Sequence, residues 1–383
     1  MWLAKTAIAI ATTLGVLQGI PVGEEETGVP PDVNLLMTNA KHDLRDLAQQ
    51  VLKSQPGNAP EIAPAVQNAM VAALAAEGIA AGRDSATYGD IASIEVVAPQ
   101  GHRDLLAVVV ALSIPCGSDS ALYLFQQDPS WSGGRPRPPG STGEAPVAPR
   151  RLAEWRLVYE REEDDYESIS GALGTFGWKV SPPDAQGRFL VVTSSISPWC
   201  VSAWHQLRYQ VDRVEPGHAT PVPIDHDTIT SYEWDVELEA TADSYSIHFN
   251  GSSLDPAIVV RSYRLHYVVD GDRPVRVDPI ADSPRDFVEE WLGMSKDVAA
   301  RWGAADPETL AERHGGFSEF GPTGRCSENL WQVELDHYSE ENFEQYESTY
   351  FLVTEANGAY RMREIAYEPR GDCPASDTIA GSE

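Results

Sequence analysis

The sequence predicts an α+β fold in two domains, built from mostly antiparallel, curved sheets with short helices. Three observations carry this. Hydrophobic spacing is helical up to residue 78 and alternates in most of the later segments. The alternating runs follow one another through short, turn-like connections rather than through helical crossovers. The 383 residues exceed one ordinary domain, at about 100–200 residues each, and the Pro-, His- and Asp-rich stretch 215–228 interrupts the pattern. A helix lying across a curved sheet, as in cystatin-like or NTF2-like cones, fits each half by analogy of architecture alone.

In chain order, Lys5 followed by the apolar run 6–20 has the layout of an export signal, so residues 1–23 are expected to be a signal peptide. The run falls short of the ~20 residues a membrane-spanning helix needs. Residues 24–34 read as a linker, and 35–214 as the first domain. Leu44, Leu47, Ala48 and Val51 recur at helical spacing up to Pro56-Gly57. A second helix is expected from Asn58, with Pro60 near its first turn, to Gly78. Ile94–Val97, Leu105–Ile114 and Ala121–Phe125 read as strands. Residues 128–150 hold too much Pro and Gly for a regular element and are expected to be a long loop. Trp155, Leu157 and Tyr159 are expected on one strand face. Gly187–Ser194 is an apolar strand, and Leu207, Tyr209 and Val211 alternate with Arg208, Gln210 and Asp212.

After the 215–228 linker, residues 229–374 form the second domain. Tyr232, Trp234, Val236, Leu238 and Ala240 alternate with Glu233, Asp235, Glu237 and Glu239, which only a strand separates onto two faces. The acidic face predicts ion pairs to Arg264 and His266, or to Arg361 and Arg363. Asn250-Gly251 and Asp270-Gly271 are turn signals. Ser283, Pro284 and Asp286 open a short helix that buries Phe287, Trp291 and Leu292. Ser295 and Asp306-Pro307 open two more. Trp331–Leu335, Tyr350–Val353 and Tyr360–Tyr367 read as closing strands, and 375–383 as a disordered tail.

The four cysteines, Cys116, Cys200, Cys326 and Cys373, are even in number, as expected of an exported chain. Three pairings are open. Cys116–Cys200 and Cys326–Cys373 is the expected one, since each bridge then stays within one half. No zinc spacing occurs among them, and neither a metal nor another cofactor is expected.

The formal charge of −30 opposes binding to nucleic-acid backbones and to anionic lipid. No GxSxG elbow, HExxH helix, P-loop, EF-hand loop or GxGxxG fingerprint is present. Asp225-His226-Asp227 places a histidine between two carboxylates, but adjacent loop residues point apart, so it reads as solvated linker. The acidic run 160–165 lacks the glycine turn of a calcium loop. Trp199 and Trp204 flank Cys200, with His205 beside them. Exposed, these three would form a ligand-binding platform; buried, they would pack as core. The reading is an exported protein, secreted or periplasmic, that is non-catalytic and binds a ligand or a partner. The alternative is an exported hydrolase with scattered active-site residues, which convergent titratable groups would favour.

Overall fold

A computed structural model of the chain describes residues 31–82, 88–114, 117–127, 154–162, 175–197, 203–255, 259–303, 318–338 and 346–374. Antiparallel sheets dominate it, with few helices. The chain divides into two compact units, with the main break between Ile229 and Thr230. The signal, the 128–150 loop, the helix expected at 306 and the tail all lie outside the described residues.

The first unit opens with α1 (Pro31–Leu52) and α2 (Ala59–Ala76). α1 begins inside the stretch read as linker, because Val33 and Met37 extend its apolar stripe by a turn and are fully buried. Asn58 caps α2, its side chain accepting from the Glu61 amide at 3.2 Å. Both helices cover one face of a four-stranded antiparallel sheet, β1 (Ile91–Val97), β2 (Leu105–Ile114), β3 (Gly117–Gln127) and β4 (Trp155–Arg161), paired in that order.

β2 shows why a sequence run can be apolar throughout. Leu106, Val108, Val110, Leu112 and Ile114 face the helices. Leu105 and Ala107 face a second layer that also holds Val180, Phe189, Val191 and Val214. A strand buried on both sides loses the polar half of its alternation. The second layer belongs to β5 (Thr175–Val180), β6 (Phe189–Ser197) and β7 (Trp204–Val214).

β8 (Val222–Ala240) is one 19-residue strand. Its residues up to Ile229 belong to the first unit and those from Thr230 to Glu239 to the second. Residues 222–228, read as linker, are therefore strand; Pro223 and His226 concealed a β run.

In the second unit, β9 (Ser244–Ser252), β10 (Val260–Asp270) and β11 (Arg273–Arg276) continue from β8, with Gly271 at φ +64° turning β10 into β11. Asn250-Gly251 is no turn: both stay in the β9–β10 ladder. A Cβ on Gly251 would stand 2.8 Å from the Tyr263 ring, so the glycine serves close packing instead. The remaining sheet is β12 (Ser318–Ser327), β13 (Leu330–Tyr338), β14 (Tyr346–Ala356) and β15 (Ala359–Ala366). β12 has no counterpart in the sequence reading, because Gly321, Pro322 and Gly324 break its pattern and a ladder irregularity absorbs the first two.

α3 (Pro284–Leu292) sets Phe287, Val288 and Trp291 against Val333, Leu335, Phe351 and Val353 of that sheet. Ser283 caps it, accepting from the Asp286 amide at 3.1 Å. α4 (Lys296–Ala299) follows. The Cys326–Cys373 disulfide is formed, with its Cα atoms 4.0 Å apart. Cys116 and Cys200 lie outside the described residues. Two arginines expected opposite the acidic strand face pair elsewhere: Arg264 with Asp282 at 2.7 Å, and Arg361 with Asp278.

Candidate active site

The site is built where β4, β6 and β7 of the first unit meet across the inner layer. Its first device is a bulge. In the β3–β4 ladder Leu157 pairs with Phe125, and Tyr159 pairs with Leu124, leaving Val158 as an extra residue. A strand changes face at every residue, so one extra residue reverses the facing of all that follow. Trp155 and Leu157 pack under the helices, whereas Tyr159 turns into the layer shared with β6 and β7. The expectation that Trp155, Leu157 and Tyr159 share one face is corrected here.

The second device is a polar patch inside that layer. In the β6–β7 ladder Val191 pairs with Asp212 and Thr193 with Gln210, and ladder partners share a face. The polar side of β7 therefore points inward at this end, toward Tyr159. Leu207, Tyr209 and Val211 occupy the opposite side of the strand and are also buried. Alternation in the sequence separates two faces, but it does not say which one water reaches.

Asp212 is 4% exposed. Tyr159 donates to its Oδ2 at 2.9 Å, and the side-chain amide of Gln210 donates to the same oxygen at 2.7 Å. Thr193 donates to the Gln210 carbonyl at 3.4 Å. Burial pushes the Asp212 carboxyl above the ordinary carboxylate range. The hydrogen bonds from Tyr159 and Gln210, and the charges of Arg161 and His226, pull the other way without cancelling it. Burial, and then the neighbouring Asp212 charge, push the Tyr159 hydroxyl well above its usual range, so it stays a donor. The result is a carboxyl held by two neutral donors, whose charged form burial disfavours.

A second buried carboxylate, Glu289 in the other unit, shows the contrast. It lies on α3, 3% exposed, and burial raises its carboxyl too. It accepts from Ser253 at 3.0 Å and from the Leu254 amide at 2.5 Å. Nε of Arg261 stands 3.2 Å from it, without the alignment of a hydrogen bond. Arg261 and Arg276 also hold Glu290, at 2.6 and 2.5 Å. These ion pairs fasten α3 to the strands beneath it, and Glu289, unlike Asp212, is held by a guanidinium as well as by neutral donors. A third group, Glu319, Glu334 and Asp336 on β12–β13, meets water and accepts from the hydroxyls of Tyr338, Tyr350 and Ser348.

Of the residues expected to form a ligand platform, the two that are described, Trp204 and His205, lie on opposite faces of β7. Trp204 is half-buried at the start of β7, and His205, its neighbour, is buried on the opposite face at 1% exposure. Trp199 lies outside the described residues. His226, read as solvated linker, sits on β8 with its side chain exposed and its charge felt at Asp212. Asp225 accepts from Tyr209 at 3.1 Å, on the face of β7 away from Asp212. Sequence reasoning missed Asp212 and Tyr159 as a pair. The available signal was Thr193-Ser194-Ser195, a polar run inside an otherwise apolar strand and therefore a mark of a polar patch within the layer. Among the described residues, no group of three or more His, Cys, Asp or Glu is arranged to hold a metal ion, and no helix is long and apolar enough to cross a membrane.

No protein-family model matches the chain, and no curated protein matches it. Among solved structures it is similar to a mutant α-L-arabinofuranosidase from Fusarium graminearum bound to an iminosugar inhibitor. The identity is 9%, over 76% of this chain and 71% of that one, with a TM-score of 0.28. It is also similar to the GH93 α-L-arabinofuranosidase of Fusarium graminearum bound to arabinobiose, at 9% identity over 73% and 69% and a TM-score of 0.25. Likeness at this level assigns the chain neither their fold nor their reaction. Both are hydrolases by name; the expectation of a non-catalytic binding protein is withdrawn, and its alternative is left as a proposal.

Proposed function

We propose that the chain is an exported hydrolase that uses Asp212 as its proton-transfer group. The observation that carries this is a carboxyl, nine-tenths buried, bonded by two neutral donors and raised by burial. A carboxylic acid that keeps its proton closer to neutral pH can give it to a departing oxygen, and the carboxylate left behind can take one back from water. The bulge at Val158 supports the reading, since bulges commonly re-aim a side chain beside an active site. Export, into the periplasm or outside the cell, is supported by the Cys326–Cys373 bridge, which persists in oxidising compartments. Each unit is proposed to be an α+β domain in its own right.

The test is turnover of chromogenic glycosides and esters by the purified protein and by Asp212→Asn. The wild type should hydrolyse at least one class, and the variant should lose roughly 10²- to 10⁴-fold, the usual worth of a general acid or base. A folded variant that keeps the wild-type rate, or a wild type inert toward the whole panel, rejects the proposal.

A further inference from the structure

We infer that the transferable proton of Asp212 is carried on Oδ1, and that Tyr159 and Gln210 are positioning residues that put it there. This rests on the reading of Asp212 as the proton-transfer group. The argument is geometric. Both hydrogen bonds converge on Oδ2, from the Tyr159 hydroxyl at 2.9 Å and the Gln210 amide at 2.7 Å. In a protonated carboxyl the carbonyl oxygen is the strong acceptor, and it has two lone pairs to offer. The oxygen bearing the hydrogen accepts poorly, and its own O–H would have to point among incoming donors. Two donors on Oδ2 therefore make Oδ2 the carbonyl and leave the proton on Oδ1. They also fix the carboxyl plane, because Tyr159 is held by the bulge on β4 and Gln210 by the β7 ladder. The groups facing Asp212 are Tyr159 and Arg161 from β4, Thr193 from β6, Gln210 from its own strand and His226 from β8.

The experiment uses the full chain with carboxyl-labelled aspartate and no substrate. The titration midpoint of Asp212 is followed by carbon NMR, and the carbonyl stretch of its protonated form by infrared difference spectra. Both donors favour the carboxylate, so Tyr159→Phe and Gln210→Leu should each raise the midpoint, by roughly one pH unit for a hydrogen bond of about 1–1.5 kcal/mol. The carbonyl stretch should rise in both variants, because Oδ2 loses a donor. A purely packing role for Tyr159 would move neither reading. An unmoved midpoint in folded Tyr159→Phe overturns the positioning role, and an unmoved carbonyl stretch overturns the assignment of the proton to Oδ1. The two failures separate: shifted titrations in a protein that cleaves nothing would sink the hydrolase reading alone. Asp212-dependent cleavage with unshifted titrations would sink this inference alone.

Discussion

Lys41 and Asp119 form an ion pair at 3.1 Å with both side chains fully buried, one on α1 and the other on β3. Replacing Lys41 by Met keeps the length of the side chain and removes its charge. At an effective dielectric constant of about 20, the attraction at this distance is roughly 5 kcal/mol. Removing each ion from water costs several kcal/mol, so the intact pair contributes little net stability. Asp119 then keeps its own desolvation cost without the attraction of Lys41 that offsets it. Lys41→Met is therefore expected to destabilise the first unit by about 3–5 kcal/mol. The double variant Lys41→Met, Asp119→Leu should recover most of that loss, because neither charge is then buried. The assay is urea unfolding alongside hydrogen exchange of the β2 and β3 amides, which reports the first unit separately. A single variant within about 1 kcal/mol of the wild type would refute the reasoning. So would a double variant no better than the single, since the coupling would then be absent.

The Cys326–Cys373 bridge spans 47 residues, which in the chain-entropy model corresponds to about 4 kcal/mol. Replacing both cysteines by serine should lower the unfolding free energy of the second unit by that order, read by urea unfolding, and unchanged stability would contradict it. Asp212→Asn should also show a pH signature. A carboxyl whose folded-state affinity for its proton is raised contributes fully below its unfolded-state value, and that contribution is lost as pH rises through its folded-state value. Asparagine cannot ionise, so the variant should gain on the wild type as pH rises from the ordinary aspartate range through the raised folded-state value, by about 1.4 kcal/mol for each unit of lift. A gap that narrows with rising pH would show that Asp212 is not held toward its neutral form.

The legible parts of the fold are those whose causes are local. The caps at Asn58 and Ser283 need only a polar side chain and the amides that follow it. The α1 stripe and the β10–β11 turn are likewise fixed by spacing and by one glycine. β12 was illegible, because its glycines and proline are tolerated only where a neighbouring strand supplies the ladder. The linker reading of 222–228 failed for the same reason, since Pro223 sits in a strand held by strand pairing. The candidate site was hidden more deeply. Tyr159 and Asp212 are 53 residues apart, and the bulge that brings them together leaves no mark in the sequence around Val158.

The sequence by itself determined the antiparallel character and most element positions, because periodicity and caps act over short stretches of chain, whereas the Cys326–Cys373 pair was one of three open pairings until the structure showed it. Only the tertiary structure decided that both sides of β7 are buried, which face Tyr159 takes and which carboxyl lies beside it. Burial and ladder register are properties of strands brought together from far along the chain, and no single strand carries them.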